Sequence, residues 1–264
     1  MNPVKIDPVW LMHIQKPARY IGGEWNSVVK DHDSVDVKVA LAFPDVYEVA
    51  MSHLGLKIIY SVLNARDDTL AERVYAPWVD MEALMREKHI PLYTLESKCP
   101  VKDFDVLGFT MPFEMCYTNI LNMLDLSGIP LLARDRSDED PLVVSGGPCV
   151  YNAEPVADFF DVFFIGESEE AIGEMADIVK AWKKEGKPGG RREIIRRMAS
   201  IKGCYAPSLY KVSYYENGVF RSIAPTDEAA QFPVEKRLIP DFDKVKGTTS
   251  PFCPTLKSFM TGRC

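Results

Sequence analysis

The sequence lacks the marks of several protein classes. Its 264 residues carry a net charge of −7, which argues against a general nucleic-acid-binding protein because such proteins usually show a basic surface. No uninterrupted apolar run approaches the roughly 20 residues that a membrane-spanning helix needs. The N-terminus also has no apolar segment of the kind that forms a signal peptide. We therefore expect a cytoplasmic protein with neither a membrane nor a nucleic-acid partner.

Metal-site and phosphate-loop patterns are missing as well. The six cysteines are widely scattered, so that no pair has the spacing of a zinc knuckle and no close triplet suits an iron–sulfur cluster. We interpret them as reduced, mostly buried thiols: Cys99, Cys116, Cys149, Cys204, Cys253 and Cys264. The chain contains no G-x-x-x-x-G-K-[ST] loop and no pattern that pairs a nucleophile with its base. From the residues alone we predict no metal ligand and no catalytic group.

What the sequence does contain is a regular alternation of short apolar runs and helical patterns. This rhythm is typical of parallel strands joined by right-handed helical crossovers. It predicts an α/β, Rossmann-like domain with flanking helices around a five-stranded parallel sheet, in the flavodoxin-like order. The expected strands cover residues 35–43, 72–76, 104–110, 142–145 and 162–165.

The same pattern divides the chain into four segments. An N-terminal arm (1–34) precedes the Rossmann-like domain (35–186). A linker segment (187–243) follows, with a short helix and a small β-hairpin that the turn residues Asn217-Gly218 indicate. The last segment (244–264) is irregular, with no clear period.

The stretch Pro141–Glu170, PLVVSGGPCVYNAEPVADFFDVFFIGESEE, holds the strongest functional pattern. Its two apolar runs are typical of buried parallel strands, and each ends in small and acidic residues. Gly146 and Gly147 follow the first run and permit either a tight turn or close approach of a ligand to the backbone. Glu167 and Ser168 follow the second run and either close a pocket or begin the next helix, with Ser168 as its N-cap. Because ligands of such sheets bind at the carboxyl ends of the strands, we expect a ligand site here.

Two other loops are expected on the same edge of the sheet. After the first strand, Asp45 is placed to hydrogen-bond a ligand, and Ser52 and the N–H groups near Gly55 to hold its polar groups at a helix start. Ser52 equally suits a simple N-cap, and His53 is either a ligand contact or a partly exposed loop residue. Thr110, after the third strand, either donates to the ligand or begins a turn.

Several separated motifs, in this order, resemble one bacterial protein family. They include ALAFPDVYEVAMSHLGLKIIY, DVLGFTMPFEMCYTNILNMLDLSGIPLL, PLVVSGGPC and DVFFIGESEE, within a resemblance that covers residues 15–243. Members of that family join a cobalamin (B12)-binding-like domain to a radical S-adenosylmethionine (radical SAM) domain. The resemblance therefore makes cobalamin the expected ligand, with nine cofactor-binding candidates: Asp45, Ser52, His53, Gly55, Thr110, Gly146, Gly147, Glu167 and Ser168.

The chain departs from the family's patterns in two places. Cobalamin domains that ligate cobalt from below use Asp-x-His-x-x-Gly, whereas here Gly55 follows His53 closely and Asp45 lies eight positions before it. The Cys-x-x-x-Cys-x-x-Cys motif, whose three thiolates hold the 4Fe–4S cluster of a radical SAM domain, is also absent. The tail SFMTGRC resembles the family's connecting segment read in a shifted frame, so we predict a truncated or frameshifted gene.

Together these patterns predict a cobalamin-binding-like domain without catalysis of its own. The cluster and S-adenosylmethionine are then expected only in the full-length family, where a radical SAM barrel is the partner domain. Two alternatives stay open from the residues. One is a stand-alone, flavodoxin-like ligand-binding or regulatory module, and the other is an enzyme that uses Asp45, Glu114 and Glu167 directly.

Overall fold

Parallel strands form the centre of the fold, as the alternating pattern predicts. The computed structural model describes residues 1–240. The parallel strands are β1 (Val37–Phe43), β2 (Thr69–Tyr75), β3 (Val106–Thr110), β4 (Leu142–Gly146) and β5 (Val162–Phe164). Their order in the sheet, β2-β1-β3-β4-β5, is the flavodoxin-like order.

The sheet has six strands, so the prediction of five was wrong. The sixth, β6 (Cys204–Tyr205), pairs antiparallel with β5 at the sheet's edge. A two-residue strand is too short to show alternation in a sequence, which is why the pattern did not reveal it. β6 comes from the segment 187–243, the predicted linker.

The predicted hairpin is present as a separate two-stranded sheet. β7 (Tyr210–Tyr214) and β8 (Phe220–Pro225) pair antiparallel on either side of Asn217-Gly218. The expected tail, residues 244–264, lies outside the described residues, and the truncation stays a prediction.

Helices cover both faces of the large sheet. The α-helices are α1 (Pro8–Leu11), α2 (Tyr47–Ala50), α3 (Leu54–Asn64), α4 (Val79–Glu87), α5 (Tyr117–Leu126), α6 (Ala171–Lys184) and α7 (Gly190–Ala199). Short 3₁₀ helices cover Pro17–Tyr20, Val101–Asp103, Glu114–Cys116, Ala133–Asp135, Pro148–Asn152, Glu154–Phe159 and Pro207–Leu209. No helix within residues 1–240 is long and apolar enough to cross a membrane.

The two faces bury separate apolar clusters because side chains alternate along each strand. Val39 and Leu41 of β1 pack with α3, α6 and α7 on one face. Ala40 and Ala42 of the same strand pack with α4 and α5 on the other. Both faces are therefore covered, which explains why the strands read as continuous apolar runs.

Candidate ligand-binding site

A cleft of about 280 Å³ opens at the carboxyl end of the sheet, on the face that carries α3 and α6. It lies over β1, β3, β4 and β5, beside the first turns of the two helices. This position includes the boundary between β1 and β3, where the strand order reverses and ligands of doubly wound sheets bind. The walls are mainly apolar: Leu41, Leu56, Ile59, Val144, Phe164 and Ile172.

Gly108 forms a trough in the floor of this cleft. It lies in β3, where it pairs with Leu41 of β1 on one side and Val144 of β4 on the other. A Cβ added to Gly108 would lie 3.6 Å from Val144 Cγ2 and 3.7 Å from Leu41 Cδ2. Because Gly108 has no side chain, a flat group can approach the sheet between these two residues.

The two adjacent glycines at the end of β4, Gly146 within the strand and Gly147 just after it, have different roles. Gly146 is partly exposed, and an added Cβ would meet only Ser168 Oγ, at 3.5 Å. Gly147 has φ +111° and ψ 179°, a backbone conformation that is almost confined to glycine. An added Cβ there would lie 2.8 Å from the carbonyl oxygen of Met111. Gly146 therefore leaves room in the cleft, whereas Gly147 lets the loops after β3 and β4 touch.

His53 caps α3 and lines the cleft. Its Nδ1 accepts a hydrogen bond from the backbone N–H of Leu56 at 3.1 Å, and its ring packs on Phe43 with the centroids 4.9 Å apart. Burial lowers the pKa of His53 below its ordinary value of 6.5, which favours the neutral ring at pH 7. Since Nδ1 accepts, the neutral ring carries its proton on Nε2 and presents a donor there.

Ser52 is not the N-cap of α3, so that expectation was wrong. Its exposed hydroxyl donates to the carbonyl oxygen of Val49 at 3.1 Å, inside the preceding turn. The helix begins one residue later than a Ser52 cap requires, with His53 in the capping position. The Nδ1 of a neutral histidine can accept the same N–H that a serine oxygen accepts, so His53 replaces Ser52 as the cap.

Ser168 is likewise not an N-cap. α6 begins at Ala171 with Glu170 in the capping position, and no side chain caps it. The carbonyl oxygen of Ser168 accepts the N–H of Ile172 at 2.8 Å, so the chain already turns there through its backbone. The Ser168 side chain is consequently left to line the cleft, together with Glu167 and Glu169.

Seven of the nine candidate residues line the cleft: His53, Gly55, Thr110, Gly146, Gly147, Glu167 and Ser168. Asp45 and Ser52 do not. The Asp45 carboxylate accepts the N–H of Val46, next to it in the loop, at 2.7 Å. Glu114, the third acid that an enzyme working from this edge would use, is exposed and also outside the lining. The three acids therefore do not converge on one reacting position.

Sequence reasoning missed the apolar floor and walls. Gly108 carried a usable signal, because a glycine inside a strand often marks close approach of a ligand or another chain segment. The motif DVLGFT predicts a strand but does not by itself distinguish a ligand's approach from that of another chain segment. Leu41, Val144 and Phe164 carried no such signal, since any buried strand contains residues of this kind.

Comparison with known proteins places the chain in a family. The model for the N-terminal region of radical SAM proteins matches residues 55–207, from the start of α3 to just past β6. The chain belongs to this family. The matched region of this radical SAM N-terminal domain includes most of the cleft, with Gly55, Gly108, Gly146 and Ser168.

One curated relative is an uncharacterised protein of Methanocaldococcus jannaschii, 27% identical over 133 residues. The match covers 50% of this chain and 24% of the relative, so the chain spans about a quarter of that protein's length.

Two solved structures of the radical SAM methyltransferase TsrM from Kitasatospora setae are also similar. One contains its tryptophan substrate and the SAM analogue aza-SAM, and is 16% identical with a TM-score of 0.38 over 69% of this chain and 29% of TsrM. The other contains cobalamin and a [4Fe–4S] cluster, and is 15% identical with a TM-score of 0.39 over 74% and 31%. At these scores the likeness carries no argument about function. Within residues 1–240, no group of three or more His, Cys, Asp or Glu side chains is placed to hold a metal ion.

Proposed function

We propose that this domain is a cobalamin-binding-type module of a radical SAM protein and that its cleft holds the nucleotide arm of the corrinoid. The observation that carries the proposal is the apolar trough over Gly108, beside the starts of α3 and α6. Membership of the radical SAM N-terminal family supports the proposal that this domain is part of a radical SAM protein. The motif resemblance to cobalamin-binding-like domains supports the choice of ligand.

The shape of the cleft favours an arm over a whole corrinoid. Its volume of about 280 Å³ lies just below the roughly 300–1,000 Å³ that ligand pockets usually occupy. That space suits a flat heteroaromatic base, which would stack on the glycine floor between Leu41 and Val144. The macrocycle would then lie outside, against the loops that follow the strands.

The helix starts favour a phosphate near the opening, on the side of the cleft wall away from any contact with Glu167 and Glu169, the two acidic side chains in the lining, which would repel it. α3 has 11 residues and α6 has 14, and both begin beside the cleft. Free backbone N–H groups and the helix dipole make a helix start favourable for an anion. A flat base linked to a phosphate matches a nucleotide arm better than it matches an uncharged aromatic compound.

His53 fits this arrangement as a donor and not as a ligand of cobalt. Its Nδ1 is occupied by the Leu56 N–H, and Nε2 carries the proton of the neutral ring. When bound, a cobalamin supplies group-transfer or radical chemistry that amino-acid side chains cannot. The contribution of this chain would be to bind and orient that cofactor for a radical SAM barrel, which we propose as its partner domain.

Retention of hydroxocobalamin tests the proposal directly. The purified protein is mixed with hydroxocobalamin, passed through gel filtration, and its visible spectrum recorded. We expect stoichiometric retention by the wild type. Retention should be lost in Gly108→Val, whose side chain fills the trough, and in Gly146→Val, whose side chain fills the cleft beside Ser168. Gly173→Val is the matched control, because an added Cβ there meets only Arg66 Nη1 at 3.9 Å.

Wild-type protein that retains no corrinoid would overturn the proposal. Retention of flavin mononucleotide instead, in a parallel column, would favour a flavodoxin-like binding module. The circular dichroism spectrum of each variant is compared with that of the wild type, so that loss of retention through unfolding is recognised.

A further inference from the structure

The residues that follow β5 line the cleft and also hold a segment from far along the chain. Gly166, Glu167, Ser168 and Glu169 line the cleft. The same stretch holds a segment from far along the chain, residues 236–239, which we call the strap. Arg237 donates its backbone N–H to the carbonyl oxygen of Ile165 at 2.9 Å, and its own carbonyl oxygen accepts the N–H of Glu167 at 3.0 Å.

Side chains reinforce these backbone contacts. The Arg237 side chain is 14% exposed, and its guanidinium donates to Glu170 Oε2 at 2.8 Å and to Glu174 Oε1 at 2.6 Å, both near the start of α6. The carboxylate of Glu167, which is one of the lining residues, accepts the backbone N–H of Ile239. The strap is therefore tied to the cleft wall and to the helix that borders it.

Two glycines provide the space in which the strap lies. Gly166 has φ +104°, and a Cβ on it would collide with the backbone of Arg237. Gly203 has φ +88°, and a Cβ on it would lie 2.6 Å from the carbonyl oxygen of Ile165 and 3.2 Å from Arg237 Cβ. Both positions need a conformation that side chains rarely allow and a clearance that only glycine provides. The close approach of Arg237 to the chain therefore depends on glycine at positions 166 and 203.

We propose that Arg237 is a positioning residue for the cleft, so that docking of the strap and binding of the ligand are thermodynamically coupled. The proposal rests on the proposed function in one respect, since hydroxocobalamin is the probe ligand. Releasing the strap frees the N–H of Glu167 and the carboxylate of Glu167 together, and both belong to the cleft wall. A ligand that contacts the ordered wall binds the docked form better, and by linkage it must then stabilise the strap by the same factor.

Arg237→Ala tests the coupling from the strap side. We expect an affinity for hydroxocobalamin about fivefold or more below that of the wild type. Amide hydrogen exchange at positions 237 and 167 should be faster in this variant even without ligand, which measures release of the strap independently. Glu235→Gln is the control: Glu235 lies beside the strap and pairs with Lys202 at 3.6 Å on the surface, and both side chains are more than half exposed.

The reciprocal experiment adds saturating hydroxocobalamin to the wild type, and exchange at the same two amides should slow by at least the factor by which affinity fell in Arg237→Ala. An Arg237→Ala protein whose strap amides exchange as fast as those of an unstructured chain, but whose affinity is that of the wild type, would overturn the coupling, as would unchanged exchange in the variant. If Arg237→Ala does not fold, the double variant Glu170→Gln with Glu174→Gln removes the same ion pairs from the other side.

Failure of the proposed function can be told apart from failure of the coupling. If the wild type binds no hydroxocobalamin, the Gly146→Val variant is used in its place. The valine side chain then occupies part of the cleft, as a bound ligand would. Exchange at positions 167 and 237 that differs between Gly146→Val and the wild type then supports the coupling. Exchange that is the same in both overturns it.

Discussion

Replacing Gly147 with alanine should destabilise the protein much more than replacing its neighbour Gly146. With φ +111° and ψ 179°, Gly147 occupies a region that other residues enter at a cost of about 1–3 kcal/mol. The new Cβ would also lie 2.8 Å from the Met111 carbonyl oxygen and 3.1 Å from its nitrogen. Those are backbone atoms that the β3–β4 pairing holds in place, because the Met111 N–H donates to the Gly146 carbonyl oxygen. Relieving that contact adds to the conformational term, so we expect a total loss of about 2–4 kcal/mol in unfolding free energy.

Urea unfolding, followed by far-ultraviolet circular dichroism, measures this loss. Gly146→Ala is the internal comparison, since its Cβ has room and its φ is not positive. We expect Gly146→Ala to remain within about 1 kcal/mol of the wild type, because a compatible Gly→Ala change usually has a small effect. If Gly147→Ala were as stable as Gly146→Ala, the assignment of different tasks to the two glycines would be refuted.

Three further outcomes are expected. Asp161→Ala should lower the unfolding free energy by about 3–5 kcal/mol, because it leaves the buried guanidinium groups of Arg136 and Arg191 without their shared carboxylate. The pKa of His53 is lowered by burial from 6.5, so the unfolded chain binds the proton more readily and stability should fall as the pH drops from about 7 to 5. His53→Asn can still cap α3 and should lack that slope. Burial raises the pKa of Cys116 to about 11, and the four buried thiols should not react with a thiol reagent at pH 8 until the protein is unfolded: Cys99, Cys116, Cys149 and Cys204.

Each of these outcomes has a control. Asp177→Asn removes an exposed carboxylate that pairs with Arg66, and it should change stability by less than about 1 kcal/mol. An equal loss in both aspartate variants would contradict the argument from burial. For the histidine, identical pH slopes in His53→Asn and the wild type would show that another group titrates. The thiol measurement uses a Cys253→Ser, Cys264→Ser background, and rapid labelling of the native protein would contradict the burial of the four.

The succession of strands and helices was predictable from the sequence because it depends on local patterns. Alternation in the β1 segment, helical spacing from Leu54 and glycines at strand ends each involve neighbours within a few turns of chain. The helix starts were harder, since several residues compete for one capping position. His53 caps α3 and the expected Ser52 does not, because the cap depends on where the backbone leaves the helix. β6 could not be predicted because its two residues form a strand only through their pairing with β5.

The sequence by itself determined that this is a doubly wound α/β domain in which the loops after β1, β3, β4 and β5 share one edge of the sheet, since periodicity and strand-end glycines are patterns of neighbouring residues. Only the tertiary structure decided that Gly108 is the floor of a cleft, because that role exists only when Leu41 and Val144 lie on either side of it. The same holds for Arg237, which comes 70 residues after Glu167 and yet meets the cleft wall. Contacts between residues so far apart depend on how the elements pack, and no local pattern encodes them.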